Sequence, residues 1–376
     1  LVTRPIQRPR SQQKAHTMTI TEPKPAGASP FDAPGLDAPA SMVTRFTWDY
    51  VQSRSQLGRL YEKGKTSQWN ATTDIDWAPD VVFGEADPDV TDEDRAMLDS
   101  FMGFDQPDSP FFAFDEKQRT AMGWEFQSWM ISQFMHGEQG ALVATARLVE
   151  TVPDIDSKYY AANQVADEAR HVEAYAKYIN DKLGVEHAYE ISSPLQSLLV
   201  DIMTEKRWDI TYLGMQIMVE GLALAAFGMG NMLFRDPVIK QITEYVMRDE
   251  ARHVAFGVLS LQDYYPQLSS AELADREEFL LEAIDLMYQR FLLEQVWDRV
   301  GIDVEKGKAF AGANPLMVVF RQMLFSKIVP NINKLGLMTP AVRQKFIDLQ
   351  VIQWENYADT ATEELMAEAT AEPGAD

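Results

Sequence analysis

The chain contains no cysteine, which excludes a disulfide framework, thiolate catalysis and a zinc–sulfur site. Any metal it binds must be held by oxygen and nitrogen, a donor set that suits iron or manganese. Histidine is scarce as well: 376 residues carry only His16, His136, His171, His187 and His253. Positive charge is in deficit, with 34 Lys and Arg against 57 Asp and Glu and a net charge of −23. That balance argues against a nucleic-acid partner, because phosphate binding needs a basic surface. No uninterrupted apolar run reaches the length of a bilayer span. The best one, Gly221 to Phe227, is short and has Glu220 at its edge. No membrane span and a cytoplasmic location are the expectations.

What is present is a pentapeptide that occurs twice, Asp167-Glu168-Ala169-Arg170-His171 and Asp249-Glu250-Ala251-Arg252-His253. Each copy holds a Glu-x-x-His pair, which on a helix places carboxylate and imidazole on one face, about one turn apart. Thirty residues before Glu168 stands Glu138, and thirty before Glu250 stands Glu220, both in apolar surroundings. Four carboxylates and two imidazoles on four apolar helices form the ligand set of a carboxylate-bridged two-metal site in a helical bundle. The predicted metal ligands are therefore Glu138, Glu168, His171, Glu220, Glu250 and His253, with Glu168 and Glu250 as bridges. A single Glu-x-x-His is usually a solvated pair; two copies with equal upstream spacing are not so easily dismissed. The competing plain reading is a buried Glu–Arg–His network without metal.

Taken in order, residues 1–40 are rich in Pro, Ala, Ser and Gln and read as a disordered leader. The basic stretch before Met18 reads as upstream of the usual start, with a targeting peptide as the alternative. A single helical domain is expected over 41–360, with an acidic tail over 361–376 that frays. A helix is expected from Ser41 to about Glu62, then a loop from Gln68 to Trp77 pinned by two tryptophans. Thr91-Asp92-Glu93-Asp94 reads as a short helix start.

The metal-binding core spans about 115–264, with helical apolar periodicity at roughly 116–150, 157–183, 205–233 and 236–264. If the paired glutamates sit level, the two hairpins must reverse near residues 153 and 235. Pro153 and Asp236-Pro237 stand there, where proline stops or restarts a helix. The connection over 184–205 crosses between the hairpins. Further helices are expected at Ala271–Val300, Leu316–Val329 and Val342–Tyr357. The fold class is all-α.

Within the motif, metal-bound imidazoles usually donate their second N–H to a carboxylate, and Asp167 and Asp249 are placed to accept across the site. Arg170 and Arg252 would neutralise and orient those aspartates. His136 reads as structural and His187 as surface. Phe134, Met135, Leu142, Ile217, Ala223, Leu224 and Phe227 lie within two turns of the ligands and are candidates to line an apolar cavity, though such residues are usually ordinary core.

The paired Asp-Glu-x-Arg-His motifs, each preceded by a glutamate on the previous helix, resemble the ferritin-like non-haem diiron carboxylate proteins over about 115–264. The motif form is similar to that of bacterial multicomponent monooxygenase hydroxylases. The Trp69…Asp74-Ile75-Asp76-Trp77 stretch and Tyr175 resemble the ribonucleotide reductase small subunit and the related ligand-binding oxidases. Tyr175 stands four residues after His171, the place of the reductase radical tyrosine; its plain reading is packing in the bundle core. Departures are present too. Leu224 stands where the hydroxylases carry a threonine. Ala141 and Met215 exclude the valine–tyrosine cross-link of the ligand-binding oxidases, and the alanine-rich tail is unlike the reductase tail.

The resemblance implies a ferritin-like four-helix bundle with flanking helices and two iron ions, with a manganese–iron pair as the alternative. It also implies O2 as co-substrate. The implied activity is oxidation (hydroxylation, N-oxygenation or desaturation) of an apolar or aromatic small molecule, with an electron-donor protein as partner and a homodimer as a candidate assembly. A radical-generating subunit and iron oxidation or storage are the alternatives.

Overall fold

The computed structural model describes residues 41–371 apart from 86–90, 92, 94, 95, 97, 98, 101 and 108. The predicted leader and the end of the tail lie outside the described residues, as do Asp92 and Asp94 of the Thr91–Asp94 helix start. Among the described residues every regular element is helical. They are α1 (Ser55–Thr66), α2 (Glu116–Thr151), α3 (Ile155–Tyr178) and α4 (Ser193–Thr204), then α5 (Trp208–Leu233) and α6 (Pro237–Leu261). After these come α7 (Ser270–Arg290), α8 (Glu294–Arg299), α9 (Val304–Ala313), α10 (Pro315–Leu324), α11 (Ile328–Lys334), α12 (Pro340–Asp348) and α13 (Thr360–Ala371).

Helices α2 and α3 form one hairpin, α5 and α6 the other, and together they make the four-helix bundle. The turns are set by local chemistry. Asp115 and Gln118 form a reciprocal capping box that starts α2, satisfying amides that a helix start leaves without partners. Asp154 caps α3 through the Ser157 amide, directly after Pro153. Asp236 caps α6 through the Ile239 amide, with Pro237 at its first position, where a missing N–H costs nothing. The all-α class and the two predicted reversals agree with what is seen.

Helix α5 is 26 residues long and apolar enough, by length and composition, to cross a membrane, yet 89% of its most apolar window is buried inside the bundle. Its apolarity is that of a central helix packed on every side. The uninterrupted run from Gly221 to Phe227 is only part of it, so judging that run alone understates the helix. Within α5, Leu213–Val219 forms a wide π-helical turn that ends against Glu220; such turns insert an extra residue and re-aim the side chains beyond them.

Several expected elements differ. The chain from 41 to 54 is not helical, because the buried Asp156 carboxylate accepts from the Ser53 and Arg54 amides and holds the extended entry to α1. The connection over 184–205 is largely α4, which packs against α2 and α7. The long helix expected over 271–300 ends at Arg290, and Leu293 adopts a left-handed backbone (φ 60°) before α8. That turn buries Phe291, Leu293 and Trp297. Helix α10 stops at Leu324 and α11 starts at Ile328 with Pro330 inside its first turn, where a continuous helix would lose a hydrogen bond and clash. Gln350, also left-handed (φ 58°), ends the next helix after Asp348. The predicted fraying tail is instead α13. Asp359 caps it through Thr362, Asn331 brackets Thr360, and Lys327 pairs with Glu363 at 2.6 Å. Lys63 pairs with Glu364, which lays α13 along the bundle beside α6.

Candidate dinuclear metal centre

Helix α2 carries Glu138, α3 carries Glu168 and His171, α5 carries Glu220, and α6 carries Glu250 and His253. All six side chains are buried. The structure brings them together in two groups that share Glu168. Glu138, Glu168, His171 and Glu250 each place one donor atom within 4.8 Å of the others, and so do Glu168, Glu220 and His253. His171 Nδ1 lies 3.2 Å from Glu138 and 3.2 Å from Glu250; His253 Nδ1 lies 3.0 Å from Glu168 and 3.3 Å from Glu250. Glu168 and Glu250 therefore stand between the two imidazoles, with Glu138 and Glu220 at the ends.

The backs of the imidazoles are tied down crosswise. His171 Nε2 donates to Asp249 on the opposite hairpin at 3.1 Å, and His253 Nε2 donates to Asp167 at 3.3 Å. This leaves each Nδ1 facing the glutamates, the orientation that makes an imidazole a fixed ligand. Arg170 spans both aspartates, at 2.5 Å from Asp167 and 3.0 Å from Asp249, and Arg252 pairs with Asp249.

Three further residues join this shell without having been singled out for it. Trp69 donates its indole N–H to Asp249 at 2.8 Å, and Gln68 donates to Asp167 at 2.8 Å. From sequence, the tryptophan loop was expected to be an anchor only. Gln164, fully buried, donates to both Glu168 and Glu220 at 2.9 Å. Its one signal in sequence is its place one turn before Glu168. His136 bonds the Tyr189 carbonyl at 3.0 Å, away from the cluster. His187 stacks on Phe83 with ring centroids 3.6 Å apart.

The electrostatics are those of an overfilled anionic site. Burial pushes the Glu138 and Glu220 carboxyls well above their ordinary range, and the neighbouring Glu250 adds to the shift. Burial acts the same way on Glu168, but the two histidines outweigh it and hold that carboxyl below the usual range. For His171, burial favours the neutral ring, yet the bonds to Asp249 and Glu138 raise its pKa well above the ordinary value. Burial likewise opposes charge on His253, and Glu250 and Glu168 overcome it. Protons here stand in for a missing counter-charge.

A pair of metal ions fits these residues. Glu168 Oε2, Glu220 Oε2, both oxygens of Glu250 and His253 Nδ1 are all buried and accept no hydrogen bond. Orphaned acceptors of this kind are expensive in an apolar interior, and a hard divalent cation is what oxygen and imidazole donors satisfy.

Beside Glu138, Glu220 and Glu250 lies a small cavity of about 20 Å³, lined also by Phe134, Ala223, Phe227 and Arg290. Of the predicted cavity residues, Met135, Leu142, Ile217 and Leu224 do not line it. Leu224 faces a separate outer groove of about 1020 Å³ against α13. Tyr175 is fully buried, with its ring 6.1 Å from Phe134 and 6.4 Å from Phe227. Burial and the nearby Glu138 keep its phenol protonated.

Residues 127–304, which include all six cluster residues, match the family model described as long-chain fatty aldehyde decarbonylase. No curated protein matches the chain. Among solved structures, a valine-to-isoleucine variant of an R2-like ligand-binding oxidase with an anaerobically reconstituted Mn/Fe cofactor aligns at 17% identity. It covers 77% of this chain and 95% of that one, with a TM-score of 0.43. A tyrosine-to-phenylalanine variant with an aerobically reconstituted Mn/Fe cofactor aligns at 17% identity, covering 84% and 96%, with a TM-score of 0.39. The helical bundle and its buried carboxylate–imidazole cluster, together with the family match over residues 127–304, agree with the resemblance to ferritin-like diiron carboxylate proteins and are compatible with a two-metal site.

Proposed function

We propose that this protein is a dinuclear non-haem iron enzyme that activates O2 to oxidise an apolar or aromatic small molecule. Its ligands are Glu138, Glu168, His171, Glu220, Glu250 and His253. The observation that carries the reading is the set of orphaned carboxylate oxygens facing His253 Nδ1 in the middle of an apolar bundle. Two reduced iron ions, when bound, supply the electrons and open coordination positions that O2 activation needs. The chain's own residues do the rest. Asp167 and Asp249 fix the imidazole tautomers, and Gln164 orients Glu168 and Glu220. Phe134, Ala223 and Phe227 give the adjoining cavity an apolar wall.

The likeness to a fatty aldehyde family favours a substrate with an apolar chain. An external electron donor and a cytoplasmic location complete the reading. Aerobic loading of the full chain with iron, followed by metal analysis, is expected to give two metal ions per chain; fewer than one iron or manganese per chain refutes it.

A second reading, a radical-generating subunit, is favoured by the complete burial of Tyr175 among apolar rings beside the cluster. It expects a tyrosyl signal in paramagnetic resonance after oxygen exposure that vanishes in Tyr175→Phe.

A further inference from the structure

The cavity beside the cluster is lined by groups of unlike chemistry. They are the carboxylates of Glu138, Glu220 and Glu250, the apolar Phe134, Ala223 and Phe227, and the cationic Arg290. Arg290 is the last residue of α7, so its backbone lies where a cation is favoured by the helix dipole. The residue is only 6% exposed, and its Nε finds no acceptor. No carboxylate forms an ion pair with it among the described residues. The neighbour its guanidinium does have is the Phe291 ring, at 5.1 Å.

Arg170, Arg252 and Arg321 share the orphaned Nε, but the terminal nitrogens of the other deeply buried arginines near the bundle are answered. Arg170 and Arg252 meet aspartates, Arg276 meets Asp209 at 2.9 Å, and Arg321 donates to the Ala311 and Gly312 carbonyls. A buried cation without a partner is costly, and burial lowers the Arg290 pKa only to about 10, so the charge persists at neutral pH.

We propose that Arg290 recognises the anionic head of the substrate, a monocarboxylate whose apolar body lies along this cavity toward Glu138, Glu220 and Glu250. A planar guanidinium is suited to hold a carboxylate with two parallel hydrogen bonds. The apolar part of the lining takes the rest of the molecule, and an alcohol or aldehyde of the same length lacks the charge that Arg290 requires. The present space, about 20 Å³, is roughly that of one water molecule, so binding must displace side chains. Gly137 eases this on the α2 side, where a Cβ would meet no atom within 4 Å. The inference rests on the proposed oxidation at this site and specifies its substrate class.

The test uses iron-loaded full-length protein and calorimetric titration with octanoate, and with octan-1-ol as the uncharged probe. Octanoate is expected to bind the native protein at least about tenfold more tightly than octan-1-ol, the worth of one charge-assisted contact. Arg290→Gln and Arg290→Met are expected to lose that preference while binding octan-1-ol unchanged, and Arg290→Lys to keep most of it. Equal binding of the two probes by the native protein overturns the proposal, as does undiminished octanoate binding in whichever neutral variant folds. If neither neutral variant folds, the preference of the native protein decides. Metal content is measured on the same samples. A chain that holds no iron yet binds octanoate through Arg290 sinks the oxidase reading and leaves this site standing.

Discussion

Asp249 is the point where the proposed metal centre and the stability of the fold meet. Its Oδ2 accepts from Trp69 Nε1 at 2.8 Å, Arg170 Nη2 at 3.0 Å and His171 Nε2 at 3.1 Å, while Oδ1 accepts from Arg252. Asp167, its counterpart, accepts from Arg170, Gln68, Asn163 and His253. The two are alike in sequence but not in charge balance. Replacing Asp249 by Asn leaves Arg252 with no carboxylate and Arg170 with one instead of two. Replacing Asp167 leaves Arg170 still paired with Asp249.

Breaking a buried ion pair by removing one partner costs roughly 3–5 kcal/mol, and losing one of several charge-assisted bonds costs about 1.5–3 kcal/mol. Asp249→Asn is therefore expected to lower the stability of the metal-free chain by about 3–5 kcal/mol, and Asp167→Asn by about half that. Both variants free an imidazole, so each should weaken metal binding by about 10–100-fold. Urea unfolding in the presence of chelator reads the first effect, and chelator competition reads the second. Greater destabilisation by Asp167→Asn would refute the charge accounting, and metal binding by Asp249→Asn within about threefold of the native protein would refute the role of the aspartate.

Glu220→Ala removes one of the three donors in the Glu168, Glu220 and His253 group; metal analysis should show the content per chain halved rather than abolished. An ideal Cβ on Gly257 would stand 2.6 Å from Gln216 Cβ. Gly257→Ala should therefore cost about 1–3 kcal/mol in urea unfolding by prying α6 from the π-helical turn, and an unchanged midpoint would show that the helices have room. The metal-free chain should lose stability as pH rises. Glu138, Glu220, His171 and His253 all have raised pKa values in the fold. The stability linked to their protonated forms is full below the ordinary values and is lost as pH passes the raised ones. The urea midpoint of chelated protein is expected to fall from about pH 6 to about pH 9 and the metal affinity to rise. A midpoint that climbs over this interval contradicts the charge arrangement.

Much of the bundle was legible because its signals are local and periodic. The helices around Glu138, Glu168, Glu220 and Glu250 carry apolar periods over many turns, and Pro153 and Pro237 mark the reversals independently of the glutamates. The level pairing of the six cluster residues results from those two facts together. The features that were not legible depend on distant partners. Residues 41–54 look helical in isolation, but the Ser53 and Arg54 amides bond Asp156, about a hundred positions away. Trp69 and Gln68 reach the centre only because a loop folds over α3 and α6. The left-handed turn at Leu293 is forced by the burial of Trp297 and Phe291 rather than by any glycine or proline. The wide turn before Glu220 arises from packing of Leu213–Val219 against neighbours on every side, which no local pattern announces.

Charge accounting connects these parts. The four glutamates of the cluster bring four negative charges, and two divalent ions would cancel them with both imidazoles neutral. Asp167 and Asp249 bring two more, and Arg170 and Arg252 cancel those. The loaded centre and its surrounding shell are thus neutral, as a buried assembly in a low-dielectric interior must nearly be. Arg290, which lines the same cavity, stands outside that balance. If it belonged to the balance of the centre, a carboxylate from the chain would reach it, and none does among the described residues. An anion that arrives with the substrate would complete the neutrality of the interior at the moment the site is filled. Binding of the correct substrate would then remove an electrostatic penalty that an uncharged competitor leaves in place. The selectivity expected for a carboxylate over an alcohol is a consequence of that remaining charge.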